Sequence, residues 1–343
     1  MKLFNLASKY IGIDLGTANI LVTIKGKGIV LNEPSVVAIE KKTGNIIATG
    51  SEAKEMLGRT PETIQAVRPL KDGVIADFTA TQLMLKNMLA KVAKRYNVGR
   101  PRGVVGVPSG ITEVEERAVE ESVLQAGARE VFLIEEPMAA AIGSGLDVGE
   151  PSGSMVIDIG GGTTEVAVIS LGGIVLSHSL RIAGDELDQD IINYIKREEN
   201  LIIGQTQAEQ VKIQVGAAMP LVTKMNMELK GRDLATGLPK TIIVNSDQIM
   251  IAMQESIQKI VEAVKACLEK TPPELAADIM QKGIVLTGGG ALIKGLDKLL
   301  MNETKMPVYP IEDPLDAVVR GTERVLDNIE KLKTVLMNSK RRR

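Results

Sequence analysis

The sequence contains Ile11-Gly12-Ile13-Asp14-Leu15-Gly16-Thr17 near its start and Val156-Ile157-Asp158-Ile159-Gly160-Gly161-Gly162-Thr163 near its middle. Each stretch is an apolar run followed by Asp-x-Gly with small and hydroxyl residues, and then by a second apolar run. This pattern predicts a β-hairpin with an aspartate at its turn. Two such hairpins about one domain apart predict a duplicated α/β fold, with two loops facing each other across a cleft. Phosphates there would meet backbone N–H groups from both sides, and the two aspartates would hold a magnesium ion through its water shell.

The composition excludes several classes of protein. The chain has 343 residues, of which 44% are hydrophobic, so two domains with proper cores are expected. A formal charge of −2 and an aromatic content of 2% give no reason to expect a nucleic-acid partner. The single histidine, His178, disfavours a Ser-His-Asp triad or a multi-histidine metal site. The single cysteine, Cys267, and the lack of an apolar leader predict a cytoplasmic location.

The predicted elements repeat in two halves. Each half opens with a three-stranded meander, over 11–40 and 155–177, and continues with alternating helices and strands. Residues 41–75 and 225–245 are predicted to be insertions. A long helix is predicted over 246–270, a further helix opened by Gly288–Gly290, and a last helix from 313 to beyond 333.

The two aspartate loops are the first candidates for chemistry. Gly16 allows a tight turn whose N–H groups can face an anion, and an ordinary hairpin turn is the alternative. Three consecutive glycines in the second loop are costly in chain entropy unless a ligand lies against the backbone. The candidate nucleotide-binding residues in these loops are Asp14, Gly16, Thr17, Ala18, Asn19, Gly160, Gly161, Gly162 and Thr163.

Two further segments add candidates for a base and a sugar. Gly288, Gly289, Gly290 and Ala291 follow an apolar strand, where a glycine turn leaves room for a flat group, although a plain strand–helix turn is the alternative. Glu209 and Lys212 lie on one face of a predicted helix. They form either a surface ion pair or a contact to a ribose and its base, with Gly184 and Asp185 nearby.

Glu136 is the candidate for activating water. It follows a predicted strand at 131–134, and α/β folds place their active groups at the carboxyl ends of strands. Glu136 would polarise a water molecule aimed at the terminal phosphate. The alternative is an acid that interacts with the dipole of its own helix.

The stretches Asp14–Asn19, Asp158–Thr164 and Thr287–Ala291 resemble the phosphate-1, phosphate-2 and adenosine motifs of the actin, Hsp70 and sugar-kinase superfamily. Four more stretches are similar to the MreB family of bacterial actins: Asn32–Ala38, Arg68–Asp77, Val107–Thr112 and Lys270–Leu275. The resemblance covers nearly the whole chain. One departure lies at Val318–Glu323, where the family would have a small or apolar residue before the glycine and no acid after the threonine.

The resemblance implies a duplicated actin-like (ribonuclease H-like) ATPase fold, in which each of two domains carries a small inserted subdomain. The implied subdomains are IA (1–32, 75–145 and 315–343), IB (33–74), IIA (146–183 and 250–314) and IIB (184–249).

The resemblance also implies a function. A member of this family would be a filament-forming ATPase that assembles as antiparallel double protofilaments on the inner face of the cytoplasmic membrane and organises cell-wall synthesis to set rod shape. Its cofactors would be ATP or ADP and Mg²⁺, and its partners would be itself, an anionic membrane surface and the cell-wall elongation proteins. Hydrolysis would be slow and coupled to assembly, because it depends on positioning one water molecule.

By motif position, Glu136 and Thr163 match the pair that orients the attacking water, and Asp158 completes the catalytic candidates. Asp14 and Asp158 match the carboxylates around the magnesium ion. Glu209 and Lys212 match the contacts to ribose and adenine.

Membrane contact is predicted at three places. The N-terminus would lie flat with Leu3, Phe4 and Leu6 inward, although so short a segment is a weak anchor. The loop 96–102, which contains Val98, is more basic than apolar and would attract anionic lipid. The tail 340–343 would do the same, or be a solvated end.

Two other functions use the same fold. A small-molecule kinase needs an aspartate poised for a hydroxyl substrate, and the sequence offers no convincing candidate. A chaperone-type ATPase needs a peptide-binding domain after the last predicted helix, which this sequence does not contain.

Overall fold

Two five-stranded sheets, one in each half of the chain, form the framework of the fold. The computed structural model describes residues 10–337. These residues divide into a first unit, up to Glu150 with Leu171–Gly173 and the chain from Asp316 onward, and a second unit, Pro151–Ser170 with Ile174–Leu315. The finer division into four subdomains stays a prediction.

The strands in chain order are β1 (Tyr10–Leu15), β2 (Asn19–Ile24), β3 (Gly28–Pro34), β4 (Val37–Glu40), β5 (Ile46–Thr49), β6 (Ile64–Val67), β7 (Leu70–Lys71), β8 (Val74–Ile75), β9 (Arg102–Val107), β10 (Glu130–Glu135), β11 (Ser154–Ile159), β12 (Thr164–Ser170), β13 (Gly173–Leu180), β14 (Leu201–Ile202), β15 (Asn226–Asp233), β16 (Pro239–Asn245), β17 (Ile284–Thr287) and β18 (Val308–Pro310). The α-helices are α1 (Ser51–Met56), α2 (Phe78–Tyr96), α3 (Glu113–Gln125), α4 (Glu136–Gly143), α5 (Gly184–Glu199), α6 (Gln205–Val215), α7 (Ser246–Lys270), α8 (Pro273–Lys282), α9 (Leu296–Thr304) and α10 (Ala317–Asp327).

The two large sheets have the same topology. Their strand orders are β10-β9-β1-β2-β3 and β18-β17-β11-β12-β13, so each has an antiparallel meander with parallel strands added on one side. Small sheets of three strands, β5-β4-β6 and β14-β15-β16, lie only partly in the predicted insertions, because β4 precedes residue 41 and β14 precedes residue 225. This equivalence confirms the duplicated α/β fold expected from the two aspartate hairpins.

Each unit has its own apolar core. The first core packs the sheet against α2 through residues such as Ile13, Met84 and Leu133, all at most 1% exposed. The second packs its sheet against α5 and α7 through residues such as Ile157 and Ile257. Burial of this apolar surface, at roughly 25 cal/mol per Å², is the main term that holds each unit together.

Several helices begin at residues that local sequence signals mark. The capping box predicted at Thr112 is present, with the Thr112 side chain accepting from the Glu115 N–H and the Glu115 side chain accepting from the Thr112 N–H. Helix α7 has the predicted bounds and begins at a second capping box between Asn245 and Gln248. Helix α8 was not predicted, and a proline at its first position marks its start.

Two predicted helix boundaries were wrong. Gly289–Leu292 is a 3₁₀ turn, and α9 begins only at Leu296, because Ile293 is extended and Gly295 has a φ of +78°, which interrupts the helical path. The last helix, α10, ends at Asp327 instead of continuing beyond 333. After Asn328 the chain turns back, which lets Val335 and Leu336 become buried.

Helix α10 lies directly against α4. A Cβ atom at Gly321 would clash with the backbone carbonyl of Ala139, and one at Gly143 would clash with that of Ala317. The departure from the family pattern in this helix has local partners, since Thr322 is buried and donates to the Val319 carbonyl (2.7 Å), and Glu323 accepts from the Gly28 N–H (3.2 Å).

Within residues 10–337, every helix is too short or too polar to cross a membrane.

Candidate functional site

Residues from other segments of the first unit donate hydrogen bonds to oxygen atoms of the loop after β1. The Ser35 hydroxyl donates to the Gly16 carbonyl (2.6 Å), and the Ser35 N–H donates to the Ala18 carbonyl (2.9 Å). The Gly73 N–H donates to the buried Thr17 hydroxyl at 3.0 Å. Only glycine fits at position 16, because a Cβ there would lie 2.7 Å from the Asn19 carbonyl oxygen. These bonds fix the loop through its oxygen atoms, as suits a loop whose N–H groups face an anion.

Asp14 lies next to the end of β1 and is half-buried. Burial and, to a lesser degree, the nearby charge of Asp316 raise its pKa to about 7. A carboxylate in such surroundings is costly when it is ionised, and a bound cation would offset that cost.

We expect Asp14→Asn to stabilise the protein in the absence of nucleotide and divalent cations. The folded pKa of Asp14 is raised from 3.8 to about 7, so the folded state binds more protons than the unfolded state between these values, and stability falls as the pH rises through this window. At about pH 8 the variant should gain about 1–2 kcal/mol in free energy of unfolding, a gain that shrinks toward pH 4. Urea denaturation in EDTA measures it.

The control for this experiment is Asp327→Asn, which removes an exposed carboxylate near Lys25 in the same unit. Its effect should stay within about 0.5 kcal/mol. Equal stability of Asp14→Asn and the wild-type protein at about pH 8 would contradict the assigned burial cost.

Glu136 reaches the same sheet edge as Asp14. On β9, Gly106 is paired with Asp14 of β1 on one side and with Ile134 of β10 on the other. A Cβ at Gly106 would lie 3.5 Å from Cγ of Glu136, which is the first residue of α4. Because β1, β9 and β10 are parallel, their carboxyl ends meet here, and the first unit brings Asp14, Gly16 and Glu136 to one edge.

The triglycine loop of the second unit is fixed to the start of α5. The Gly160 N–H donates to the Thr163 carbonyl (2.9 Å) and closes the turn. The Gly184 and Asp185 N–H groups donate to the carbonyls of Gly160 (3.1 Å) and Gly161 (2.7 Å). The first N–H groups of α5 therefore support the turn, and the expected place of Gly184 and Asp185 near the nucleotide stays a prediction.

The second glycine turn packs against the first. Asp158 is 6% exposed and is paired in register with Thr287 of β17. A Cβ at Gly288 would lie 2.5 Å from an Asp158 carboxylate oxygen, and a Cβ at Gly290 would clash with the Ile159 side chain. The Gly288 N–H donates to the Pro314 carbonyl at 2.9 Å. The structure thus joins two motifs that the sequence presents 130 residues apart into one edge of the second sheet.

Sequence reasoning missed a buried acid beside Asp158. Glu165 is 1% exposed and lies directly opposite Asp158 in the β11–β12 pair, where it accepts a hydrogen bond from the Ser179 hydroxyl (2.6 Å). Residues opposite each other in an antiparallel pair have neighbouring side chains. Glu165 therefore places a second carboxyl group beside Asp158.

Lys212 has two partners that its spacing did not predict. Its ammonium group donates to the Gly184 carbonyl (2.6 Å) and lies 2.9 Å from Oδ1 of Asp188. Asp188 is 1% exposed, and its pKa is raised to about 6. Burial is the main cause, Lys212 opposes the rise, and the charges of Glu209 and Asp185 add to it. Asp188 could have been identified from the sequence, because it lies one helical turn after Gly184 on the same face of the predicted helix.

Three membrane candidates lie outside the described residues, namely Leu3, Phe4 and Leu6, and so does the tail 340–343. Val98 differs from its expected surface position, because it is 7% exposed and packs in the core of the first unit. Its N–H donates to the Ala93 carbonyl at the end of α2.

Among residues 10–337, no three side chains of the His, Cys, Asp and Glu types come together as a direct metal site. Each unit instead offers one candidate carboxylate at a sheet edge, Asp14 or Asp158. Such residues fit a magnesium ion that keeps most of its water ligands.

Comparison with known proteins agrees with the family resemblance that the sequence motifs indicated. A family model described as MreB/Mbl protein matches residues 8–334. The cell shape-determining protein Mbl of Bacillus subtilis is 52% identical over 322 residues, which are 94% of this chain and 97% of that protein. The cell shape-determining protein MreB of Escherichia coli K12 is 53% identical over 334 residues, 96% of each chain.

Solved structures agree in fold. MreB5 of Spiroplasma citri bound to ADP superposes with a TM-score of 0.90 at 40% identity, covering 95% of this chain and 98% of that one. A second structure of the same protein, bound to AMPPNP, gives 0.89. MamK, solved as a double helical filament, gives 0.78 at 23% identity over 93% of this chain and 99% of its own, and at that identity it shows the fold alone.

Proposed function

The chain belongs to the MreB/Mbl family, and we propose that it is an ATP-dependent, filament-forming bacterial actin homologue. It assembles on the inner face of the cytoplasmic membrane and organises cell-wall synthesis to set rod shape. It binds ATP or ADP with Mg²⁺ and hydrolyses ATP slowly, coupled to assembly.

One observation carries this proposal. In each of the two equivalent sheets, the next-to-last residue of the central strand is an aspartate, Asp14 or Asp158, and a turn of small residues follows the strand. Two such elements supply N–H groups for phosphates and carboxylates for the waters of a magnesium ion. A relative at 40% identity was solved with ADP and with AMPPNP, which supports a nucleotide of this class.

The residue roles follow from these positions. Asp14 and Asp158 hold waters of the magnesium ion, and Glu136 and Thr163 orient the attacking water. Bound Mg²⁺ neutralises charge on the phosphates, so the chain itself mainly positions its reactants. Glu209 and Lys212 face the ribose and the base, and the glycines of the two turns let the nucleotide approach the backbone.

The proposed partners and location come from the family. They are further copies of the chain in antiparallel double protofilaments, an anionic membrane surface and the cell-wall elongation proteins, with the four subdomains as predicted. Leu3, Phe4 and Leu6 supply the membrane contact, without Val98 because of its burial. The relatives' names, cell shape-determining proteins, support the cellular role.

Sedimentation of the full chain tests the proposal. With ATP and Mg²⁺ we expect the protein to pellet as filaments, and without nucleotide to stay in the supernatant. Adding vesicles of phosphatidylcholine with phosphatidylglycerol should increase the pelleted fraction more than vesicles of phosphatidylcholine alone, since anionic lipid attracts basic segments.

The control variant is Phe4→Ser, which should still form filaments but lose the gain from vesicles. Protein that stays soluble with ATP under all conditions would instead favour the small-molecule kinase or the chaperone-type ATPase.

A further inference from the structure

Building on the proposed function, we propose that Asp188 is a positioning residue of the nucleotide site. It holds the Lys212 ammonium against the Gly184 carbonyl and so fixes α6, which carries the face for the ribose and base, to the triglycine turn for the phosphates.

The first observation is the geometry around the ammonium group. Asp188 and Gly184 are four residues apart on α5, so they lie on one face of that helix. Lys212 comes from α6 and reaches both, at 2.9 Å to Oδ1 of Asp188 and 2.6 Å to the Gly184 carbonyl oxygen. The ammonium therefore joins two helices at the start of α5.

The second observation is that the same point is tied to the turn. The Gly184 and Asp185 N–H groups donate to the carbonyls of Gly160 and Gly161. A Cβ at Gly184 would lie 3.2 Å both from Nζ of Lys212 and from the Gly160 carbonyl oxygen. The ammonium, the start of α5 and the turn are thus packed at contact distance, and a shift of Lys212 is transmitted to the phosphate loop.

The third observation is the burial of the charged pair. Asp188 is 1% exposed, and the Lys212 side chain is 14% exposed. Burying an ion pair adds little net stability, because desolvation opposes the attraction between the charges. The buried pair is therefore better explained by a role in fixing the position of Lys212 than by a contribution to the free energy of folding.

A double-mutant cycle tests whether Asp188 acts through Lys212. The variants are Asp188→Asn, Lys212→Met and the double variant, and calorimetry measures the Kd for ADP with Mg²⁺. We expect Asp188→Asn to weaken ADP binding about tenfold in the wild-type background and by less than about twofold in the Lys212→Met background. A purely structural role would weaken binding equally in both.

The matched control is Asp190→Asn, on the same helix, where the half-buried carboxylate interacts with Ser256 of α7. Its Kd should stay within about twofold of wild type. Thermal melting of nucleotide-free protein checks folding, and Asp188→Ser repeats the cycle if Asp188→Asn does not fold.

Three outcomes are decisive. Loss of the Asp188 effect in the Lys212→Met background supports the positioning role. An unchanged Kd in Asp188→Asn, or an equal loss in both backgrounds, overturns it while the proposed function stands. Failure of the wild-type protein to bind ADP at all overturns the proposed function as well.

Discussion

Replacing Asp158 with asparagine should reduce magnesium-dependent ATP hydrolysis by about 100-fold or more. Asparagine keeps the shape of the side chain, which matters because Asp158 is buried between two glycine turns. In the proposed site it removes the negative charge assigned to the waters of the magnesium ion, so the metal and the phosphates would lose their fixed positions. Phosphate release from ATP, measured with and without Mg²⁺ under conditions of assembly, reports the effect.

Two further variants make this result specific. Glu136→Gln should slow hydrolysis but leave ADP binding unchanged, because Glu136 is assigned to the attacking water and not to the nucleotide. Glu303→Gln, which removes an exposed carboxylate paired with Lys265 in the second unit, should change neither. Phosphate release by Asp158→Asn at the wild-type rate would remove Asp158 from the proposed site.

Gly321→Ala should destabilise the first unit by about 3 kcal/mol, and its melting temperature should fall by several degrees. Alanine is a better helix former than glycine by about 1 kcal/mol, so propensity alone predicts a gain. The clash of the new Cβ with the Ala139 carbonyl outweighs it, because α4 and α10 are in backbone contact and neither can move without opening the core. Calorimetric melting of nucleotide-free protein measures the result.

The control is Gly204→Ala. Gly204 has a φ of −87°, and a Cβ there would have no neighbour within 4 Å. Its free energy of unfolding should change by less than about 1 kcal/mol, because restriction of the unfolded chain by alanine offsets the loss of glycine at the N-cap of α6. A melting temperature for Gly321→Ala at or above that of the wild type would contradict the backbone contact between α4 and α10.

Much of the fold was predictable from sequence because its signals are local. The alternation of apolar residues around Asp14 and Asp158 sets strands and turns within a few residues of each aspartate. Helix α7 was predicted with its full bounds, and the structure shows that a local signal, the capping residue Asn245, precedes its long amphipathic stretch. The candidate residues in the two loops and at Glu136 were identified in the same way, and their roles in the site stay predictions.

Other features depend on contacts between residues distant in sequence, which no local pattern records. The last helix was predicted to continue past Asp327, yet the chain turns there and buries Val335 and Leu336, whose partners lie far away in the sequence. Val98 was predicted to lie in a surface loop, but its side chain packs in the core of the first unit. Periodicity placed Lys212 near Glu209, and only packing of α5 on α6 placed its ammonium against Asp188.

The sequence by itself therefore determined the duplicated hairpins and their aspartates, since turn chemistry and strand alternation act over a few residues. Only the tertiary structure decided that Gly288 lies against Asp158, that Gly184 supports the triglycine turn, and which acid holds Lys212. Those outcomes depend on how strands align in register and how helices pack, and that is settled by burial over the whole unit.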